Sequence, residues 1–414
     1  MSENLERKMK ILIINKFLHP NGGSETYIFG LGRGLEKFGN EVQYFGMEHP
    51  GRIVGNNVGS YTTNMDFKST GVKRFTYPFR IIYSLEARKK LRAVLNDFRP
   101  DIVHLNNFNF QLTPSILYEI KSFARKNRHE IKVVYTAHDS QLVCPNHLMQ
   151  QYISGERCTS CISGSAFNCL RYKCIHGSVI KSLLASCEAI LYRFLKTYQL
   201  IDIIICPSHF MKKKLDTNKI LRKKTVVLHN FVEVNNEIKV EELFTDVDES
   251  SYVLYFGRYA PEKGIDTLLN VINMLPEIPF VFAGTGPMEH EVNELLNVSN
   301  KGFLKDKELA DIIRGAEFAI FPSECYENCP FAMMEALSLG TPVIAADIGG
   351  MPELIREGVN GELFTSGDAR ELREKIYLLW NDPERRNAYQ SACNKSLFLS
   401  IDEYCRKVVR DVYQ

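Results

Sequence analysis

Three things are missing from this chain of 414 residues, and each absence removes a class of function. No run of apolar residues approaches the ~20 needed to cross a bilayer as a helix. No charge of one sign dominates: 51 Lys and Arg stand against 49 Asp and Glu, a net charge of +2, so there is no global attraction to nucleic acid. Two phosphate-binding fingerprints are also missing. The glycine-rich loop ending in Lys-Ser or Lys-Thr is absent, which excludes a P-loop, and the glycines at Gly22-Gly23 have no third glycine at the dinucleotide spacing. The polar start Met1–Lys10 runs straight into a strand with no apolar leader region, so a cytoplasmic chain is expected. What is present is ordinary for a globular protein: 45% apolar and 24% charged residues, on a chain long enough for two or three domains.

Short apolar runs alternate with helix-length amphipathic segments from Ile11 onward, the pattern of βαβ units around parallel sheets. Strands are expected at Ile11–Lys16, Glu41–Phe45, Ile102–Leu105, Lys132–Thr136 and Ile201–Cys206. The pattern restarts at Tyr252–Phe256 and continues through Phe280–Ala283, Phe318–Phe321, Pro342–Ala345 and Gly361–Phe364. The reading is therefore α/β with two doubly wound, Rossmann-like domains. An N-terminal domain is expected over 1–207, a C-terminal domain over 208–395 and a closing helix over 396–414, with the polar stretch 234–251 as an exposed connection.

The residues that carry chemistry follow strand ends, the edge at which open α/β sheets bind ligands. After Phe318–Phe321 come Glu327 and Glu335, with Pro330 at the start of the next helix. This puts one carboxylate in the loop and the other about one and a half turns into the helix. Ionised carboxylates only accept hydrogen bonds, which suits the vicinal hydroxyls of a sugar and a ribose. After Tyr252–Phe256 come Gly257, Arg258 and Lys263, two cations able to reach one anionic group. Gly284 and Gly286 close the next strand and offer a floor for a nucleoside, and Gly22-Gly23 open the first helix with Ser24 as expected N-cap.

Taken in order, these motifs together with Pro100-Asp101-Ile102-Val103-His104, Thr136-Ala137-His138-Asp139, Gly302-Phe303-Leu304 and Gly340-Thr341-Pro342 make the chain resemble the retaining glycosyltransferases of family 4, which have the GT-B fold of two facing Rossmann-like domains. The resemblance implies a nucleotide diphosphate sugar (UDP or GDP) as donor and a glycan or lipid-linked glycan as acceptor in cell-surface polysaccharide assembly. It implies that Arg258 and Lys263 neutralise the departing diphosphate, that Glu327 and His138 lie at the donor sugar, and that Glu335 accepts from the ribose. Gly22 and Gly23 would face the phosphates, while Phe303 and Leu304 would border the base. No catalytic metal is then needed, because the two cations do the charge work. The chain departs from the family at Asn328-Cys329, where many relatives carry Gly-Phe. An epimerase of the same fold and a non-catalytic nucleotide-sugar-binding protein are the competing readings.

Two features lie outside this motif set. Cys144, Cys158, Cys161, Cys169 and Cys174 crowd the insertion 141–177; a structural zinc on four of them, reduced structural thiols, or disulfides each fit such spacing. Between Val72 and Arg99, eight basic residues interleave with Phe75, Tyr77, Phe79 and Tyr83, either a solvated helix face or a patch for an anionic membrane surface.

Overall fold

The computed structural model describes residues 8–64, 81–233, 251–394 and 397–414. The chain forms two compact units, the first made of residues up to Leu228 together with Ile401–Gln414 and the second of His229–Ser400. The division expected at 207 thus falls later. Ser208 caps the helix His209–Leu215, which leads into a three-residue strand, Thr225–Val227, hydrogen-bonded in parallel to Ile203–Cys206. That pairing keeps the segment in the first unit. The closing helix also returns there. Tyr404 hydrogen-bonds Tyr27 at 2.9 Å, and the Tyr413 hydroxyl lies 2.6 Å from His104 Nδ1.

The first sheet is built of β1 Lys10–Ile14, β2 Glu41–Phe45, β3 Ile102–Leu105, β4 Lys132–Thr136, β5 Ile203–Cys206 and β6 Thr225–Val227, in the order β2-β1-β3-β4-β5-β6. The second holds β7 Val253–Phe256, β8 Phe280–Ala283, β9 Val298–Asn300, β10 Phe318–Phe321, β11 Val343–Ala346 and β12 Gly361–Phe364, in the order β12-β11-β10-β7-β8-β9. Among the described residues every strand pairing within both sheets is parallel. Central strands such as Val253-Leu254-Tyr255-Phe256 are buried along their whole length, as expected of a parallel sheet covered by helices on both faces.

These orders fix where ligands go. Chain direction across the first sheet reverses between β1 and β3, and across the second between β7 and β10. At such switch points the following loops diverge and leave a crevice at the carboxyl ends of the strands. Gly22-Gly23 follow β1, Arg258 and Lys263 follow β7, and Glu327 follows β10.

The basic segment is only partly within the described residues, since 65–80 lie outside them. The rest forms a helix, Leu85–Phe98, capped by Ser84. Arg88 and Arg92 are committed to Glu119, at 3.1 and 2.6 Å, so two of its cations serve the fold. The expected connection 234–251 likewise falls almost wholly outside the described residues.

Candidate active site

In the second unit the chain turns sharply after each central strand. Gly257 has φ 144° and Gly284 φ 155°, conformations that L side chains rarely adopt. A Cβ on Gly284 would lie 1.9 Å from the Gly257 carbonyl oxygen, so the β7 and β8 loops touch through bare backbone. Gly286 packs against the Tyr259 backbone in the same way. The Gly284 amide donates to the Gly302 carbonyl at 2.7 Å, which brings Phe303 and Leu304 alongside. Phe303 is exposed and Leu304 leans on the core.

The β7 loop continues through one 3-10 turn, Pro261–Lys263, into the helix Ile265–Asn273 by way of Gly264 in the left-handed conformation. Any side chain at Gly264 would strike the Pro322 carbonyl, 1.9 Å away. Glu324 and Cys325 both donate their amides to the Glu262 carbonyl at 3.1 Å. The loops after β7 and β10 are thereby stitched together, and the stitch sets Lys263 in an ion pair with Glu327. Ser323 Oγ donates to the same carboxylate oxygen at 3.0 Å, and the Glu327 carbonyl accepts from the Gly350 amide at 2.8 Å. Burial works against the Lys263 charge, but Glu327 outweighs it and raises the pKa above the ordinary value. A fixed, half-buried ammonium therefore stands at the switch point. Arg258 is two-thirds exposed and only loosely held by Glu262 at 3.6 Å, free to swing.

Glu335 lies on the helix Phe331–Ser338, for which Pro330 is the N-cap. Burial pushes its pKa up to about 7, and its carboxyl has no hydrogen-bond partner among the described residues. At the departure from the family motif, Cys329 is buried and its carbonyl accepts from Asn230 at 2.9 Å. The carbonyl there is occupied by the fold.

The first unit's switch point is built differently. The helix begins at Gly23, with Gly22 rather than Ser24 as N-cap. Ser24 sits in the first turn, where its hydroxyl donates to Glu25 at 2.9 Å and accepts from Asn107 at 3.0 Å. Buried Asn15 donates to Glu25 at 2.7 Å and accepts from the Asn107 amide at 2.9 Å. Burial, partly offset by these hydrogen bonds, raises the Glu25 pKa. His138 Nε2 lies 2.8 Å from Asn106 Oδ1, and its ring meets Tyr27 edge-on at 4.8 Å. Burial holds its pKa down at about 3, so the imidazole is neutral. The Asn107 Oδ1 atom is buried with no partner among the described residues, an acceptor left for something else. Asn15, Asn107 and Ser323 escaped the sequence reading because single polar residues in loops carry no periodicity, and Glu25 because an acidic residue in a first helical turn is ordinary; only their contacts mark them.

In the insertion, all eleven cysteines of the chain being free thiols, the five clustered ones line a single cavity of about 10 Å3. Cys169 and Cys174 are close enough to act on one another, raising the pKa of Cys169 and lowering that of Cys174, and Cys161 and Cys144 add to the rise at Cys169. Cys144 Sγ is turned to Asn146 at 2.9 Å and Cys161 Sγ to the Ala166 carbonyl at 3.9 Å. Among the described residues no three such side chains are closed around a metal position. His147 stacks on Phe110 at 4.8 Å and His176 meets Tyr152 at 5.6 Å, and neither lines the cavity, whose walls are the five thiols with Asn146, Gln150, Ile162 and Tyr172.

Known proteins share this architecture. The chain matches an uncharacterized glycosyltransferase of Methanocaldococcus jannaschii at 29% identity over 51% of this chain and 59% of the relative. A second one from the same organism matches at 24% over 85% and 84%. The sulfoquinovosyl transferase of Arabidopsis thaliana matches at 32% over 36% of this chain and 30% of its own length. The chain thus spans little more than half the length of the first of these and under a third of the last. Among solved structures, sucrose-phosphate synthase from Thermosynechococcus elongatus superposes with a TM-score of 0.68 at 16% identity, covering 97% of this chain and 98% of that one. Anabaena HepE in complex with UDP-glucose superposes with a TM-score of 0.64 at 16% identity, covering 98% and 99%. These likenesses show the GT-B fold. The group 1 glycosyl transferase profile matches residues 239–395. The Glycosyltransferase Family 4 profile matches residues 21–236, and the chain belongs to that family.

Proposed function

We propose that the protein transfers a hexosyl group from a nucleotide diphosphate sugar to a glycan or lipid-linked glycan acceptor with retention of configuration, in surface polysaccharide synthesis. The observation that carries this reading is the Lys263–Glu327 pair at the β7/β10 switch point, with Arg258 free to join it. The bond from the anomeric carbon to the diphosphate oxygen breaks while the acceptor oxygen bonds to the same face of that carbon. The acceptor proton passes to the leaving phosphate. Charge builds on the diphosphate in this step, where a fixed ammonium and a guanidinium fork stabilise it most. Glu327, held by Ser323, takes the sugar hydroxyls; Glu335 takes those of the ribose; Phe303 and Leu304 flank the base above the Gly257, Gly284 and Gly286 backbone. To His138 of the first unit we assign the role of a neutral hydrogen-bonding group for the donor sugar, and to the Gly22 and Gly23 backbone that of a phosphate contact. UDP is the first nucleotide to try, because the fold-related HepE binds it.

Incubating the protein with UDP- and GDP-sugars and an acceptor pool tests the reading: free nucleoside diphosphate should appear in proportion to an α-linked product from an α-linked donor. Turnover of the sugar without acceptor and without free nucleotide would favour an epimerase. Binding with no turnover would leave a nucleotide-sugar-binding protein. No residue of the site is assigned to a catalytic metal.

For the insertion we propose a structural zinc on four of Cys144, Cys158, Cys161, Cys169 and Cys174, reached when their sulfurs turn into the cavity they line. Two four-residue helices, Ser160–Ser163 and Asn168–Arg171, are too short to stand alone, and thiols are most of what is buried between them. Elemental analysis should return about one zinc per chain. Less than a tenth of an equivalent, with the thiols reduced and the protein folded, would leave them as packing groups.

A further inference from the structure

Two imidazoles stand near the ends of β3 and β4, and their partners differ in kind. His104 meets a hydroxyl on each side, Tyr413 at 2.6 Å from Nδ1 and Thr136 at 2.7 Å from Nε2. A hydroxyl both donates and accepts, so either nitrogen of His104 can carry the proton. His138 Nε2 instead meets Asn106 Oδ1 at 2.8 Å, and an amide oxygen only accepts. Burial keeps the His138 ring neutral, so it carries one proton, and that proton sits on Nε2. The other nitrogen, Nδ1, is then an acceptor.

What surrounds the Asn106 amide decides which of its ends is oxygen. Its nitrogen lies 3.5 Å from the Ile14 carbonyl and 3.4 Å from the His104 carbonyl, two acceptors that would repel an oxygen in the same place. The rest of the residue is equally fixed. The Asn106 main-chain amide donates to the Ile14 carbonyl at 2.8 Å. Its carbonyl accepts from Gln141 Nε2 at 3.1 Å, and the same Gln141 nitrogen donates to the Tyr135 hydroxyl at 2.6 Å. Asn106 is fully buried, so no solvent competes for Oδ1. Tyr27 closes another side of the His138 ring, meeting it edge-on at 4.8 Å. The Tyr27 hydroxyl is itself anchored, 3.0 Å from Thr136 and 2.9 Å from Tyr404. A ring held at Nε2 and along its edge has one orientation and one tautomer, the preorganisation a binding group needs.

We propose that Asn106 is a positioning residue of the sugar transfer: it fixes His138 as the Nε2–H tautomer and so presents Nδ1 as an acceptor to the donor sugar. This rests on the placing of His138 at that sugar, and it adds what the sugar must bring there. An O–H or N–H group can donate to Nδ1, whereas a carboxylate in that place would meet a second acceptor and be rejected.

Histidine side-chain 15N NMR of the full chain reads the tautomer without any substrate. The chain has ten histidines, so the His138 signals are identified by their loss in His138→Ala. The wild type is expected to show a protonated Nε2 and a bare Nδ1. Asn106→Leu has no acceptor and should release the proton to either nitrogen. It should also lower kcat roughly five- to tenfold with nucleotide affinity unchanged. Placed on His138→Ala, the same substitution should cost nothing more, because Asn106 acts through the ring. A wild-type ring protonated on Nδ1, or on both nitrogens, overturns the proposal and needs no variant to fold. A tautomer unchanged in Asn106→Leu overturns it as well, as do two losses that multiply in the double variant. The expected spectra with turnover unchanged in both single variants would instead remove His138 from the sugar, and with it the reading on which the proposal rests.

Discussion

The two switch points share one architecture and differ in charge. In the second unit the crevice edge carries Lys263, Arg258, Glu262, Glu324 and Glu327, and its central contact is an ion pair. In the first unit the corresponding edge has Asn15, Ser24 and Asn107 hydrogen-bonded around the carboxyl of Glu25, with Lys16 close enough to act on it, and Asn106 bonded to a neutral His138. A parallel sheet therefore supplies only the position of a site; the loop residues decide what it binds. Fixed cations suit a diphosphate whose charge rises during reaction, while neutral donors and acceptors suit hydroxyl-rich sugars.

The largest effect should come from breaking the charged edge. Lys263→Ala is expected to lower turnover by ~10²–10³, as removal of one electrostatic stabiliser does, measured by release of nucleoside diphosphate. It also leaves Glu327 with the Ser323 hydroxyl and the more distant Cys325 thiol as its side-chain partners among the described residues. Next in size, Arg258→Ala should cost roughly tenfold to a hundredfold in kcat/KM, the worth of one charge-assisted hydrogen bond to phosphate. Because Arg258 is well exposed, melting temperature should not move.

Glu335 links the charged edge to pH. Burial raises its folded pKa from 4.5 to about 7, so the folded state holds this proton more tightly than the unfolded chain. Its contribution to stability is intact below the unfolded pKa, declines as pH rises from about 4.5 to 7, and is lost above that. Glu335→Gln should therefore stabilise the ligand-free protein at pH 8 by about 1–3 kcal/mol. In the wild type, donor affinity should fall about tenfold between pH 8 and pH 6, as the carboxylate that accepts from the ribose becomes protonated; the Gln variant should show a flat profile. A profile equally steep in both proteins would move the ribose contact elsewhere.

The neutral edge should give the smallest effect and no titration. His138→Ala is expected to lower turnover roughly five- to tenfold, the loss of one neutral hydrogen bond, with nucleotide affinity unchanged. With its pKa held near 3, His138 should contribute no limb to the pH–rate profile between pH 5 and 9. A limb that disappears in the variant would make it an acid–base residue and erase the contrast.

The strands and the two-unit plan were legible because buried parallel strands are continuous apolar runs such as Phe318-Ala319-Ile320-Phe321, bounded by glycine and proline. What was not legible depended on partners distant in sequence. Strands β6 and β9 are three residues each, too short to show a period, and without β6 the boundary seemed to fall at 207. Ser24 has the chemistry of an N-cap, but Asn107, 83 residues away, takes its hydroxyl. Of the charged site, Arg258, Lys263, Glu327 and Glu335 were readable from their places after strands. The Lys263–Glu327 pairing itself depends on the amides of Glu324 and Cys325 closing on Glu262, a contact no local pattern encodes.

The central claim is that the diphosphate of a sugar nucleotide is held at the β7/β10 switch point, and calorimetric titration of UDP and GDP into the wild type and Lys263→Ala tests it most directly. One of the two nucleotides should bind the wild type saturably at one site per chain, and at least tenfold more weakly in the variant, at unchanged melting temperature. Equal affinity in both proteins, or no binding of either nucleotide, would contradict the account.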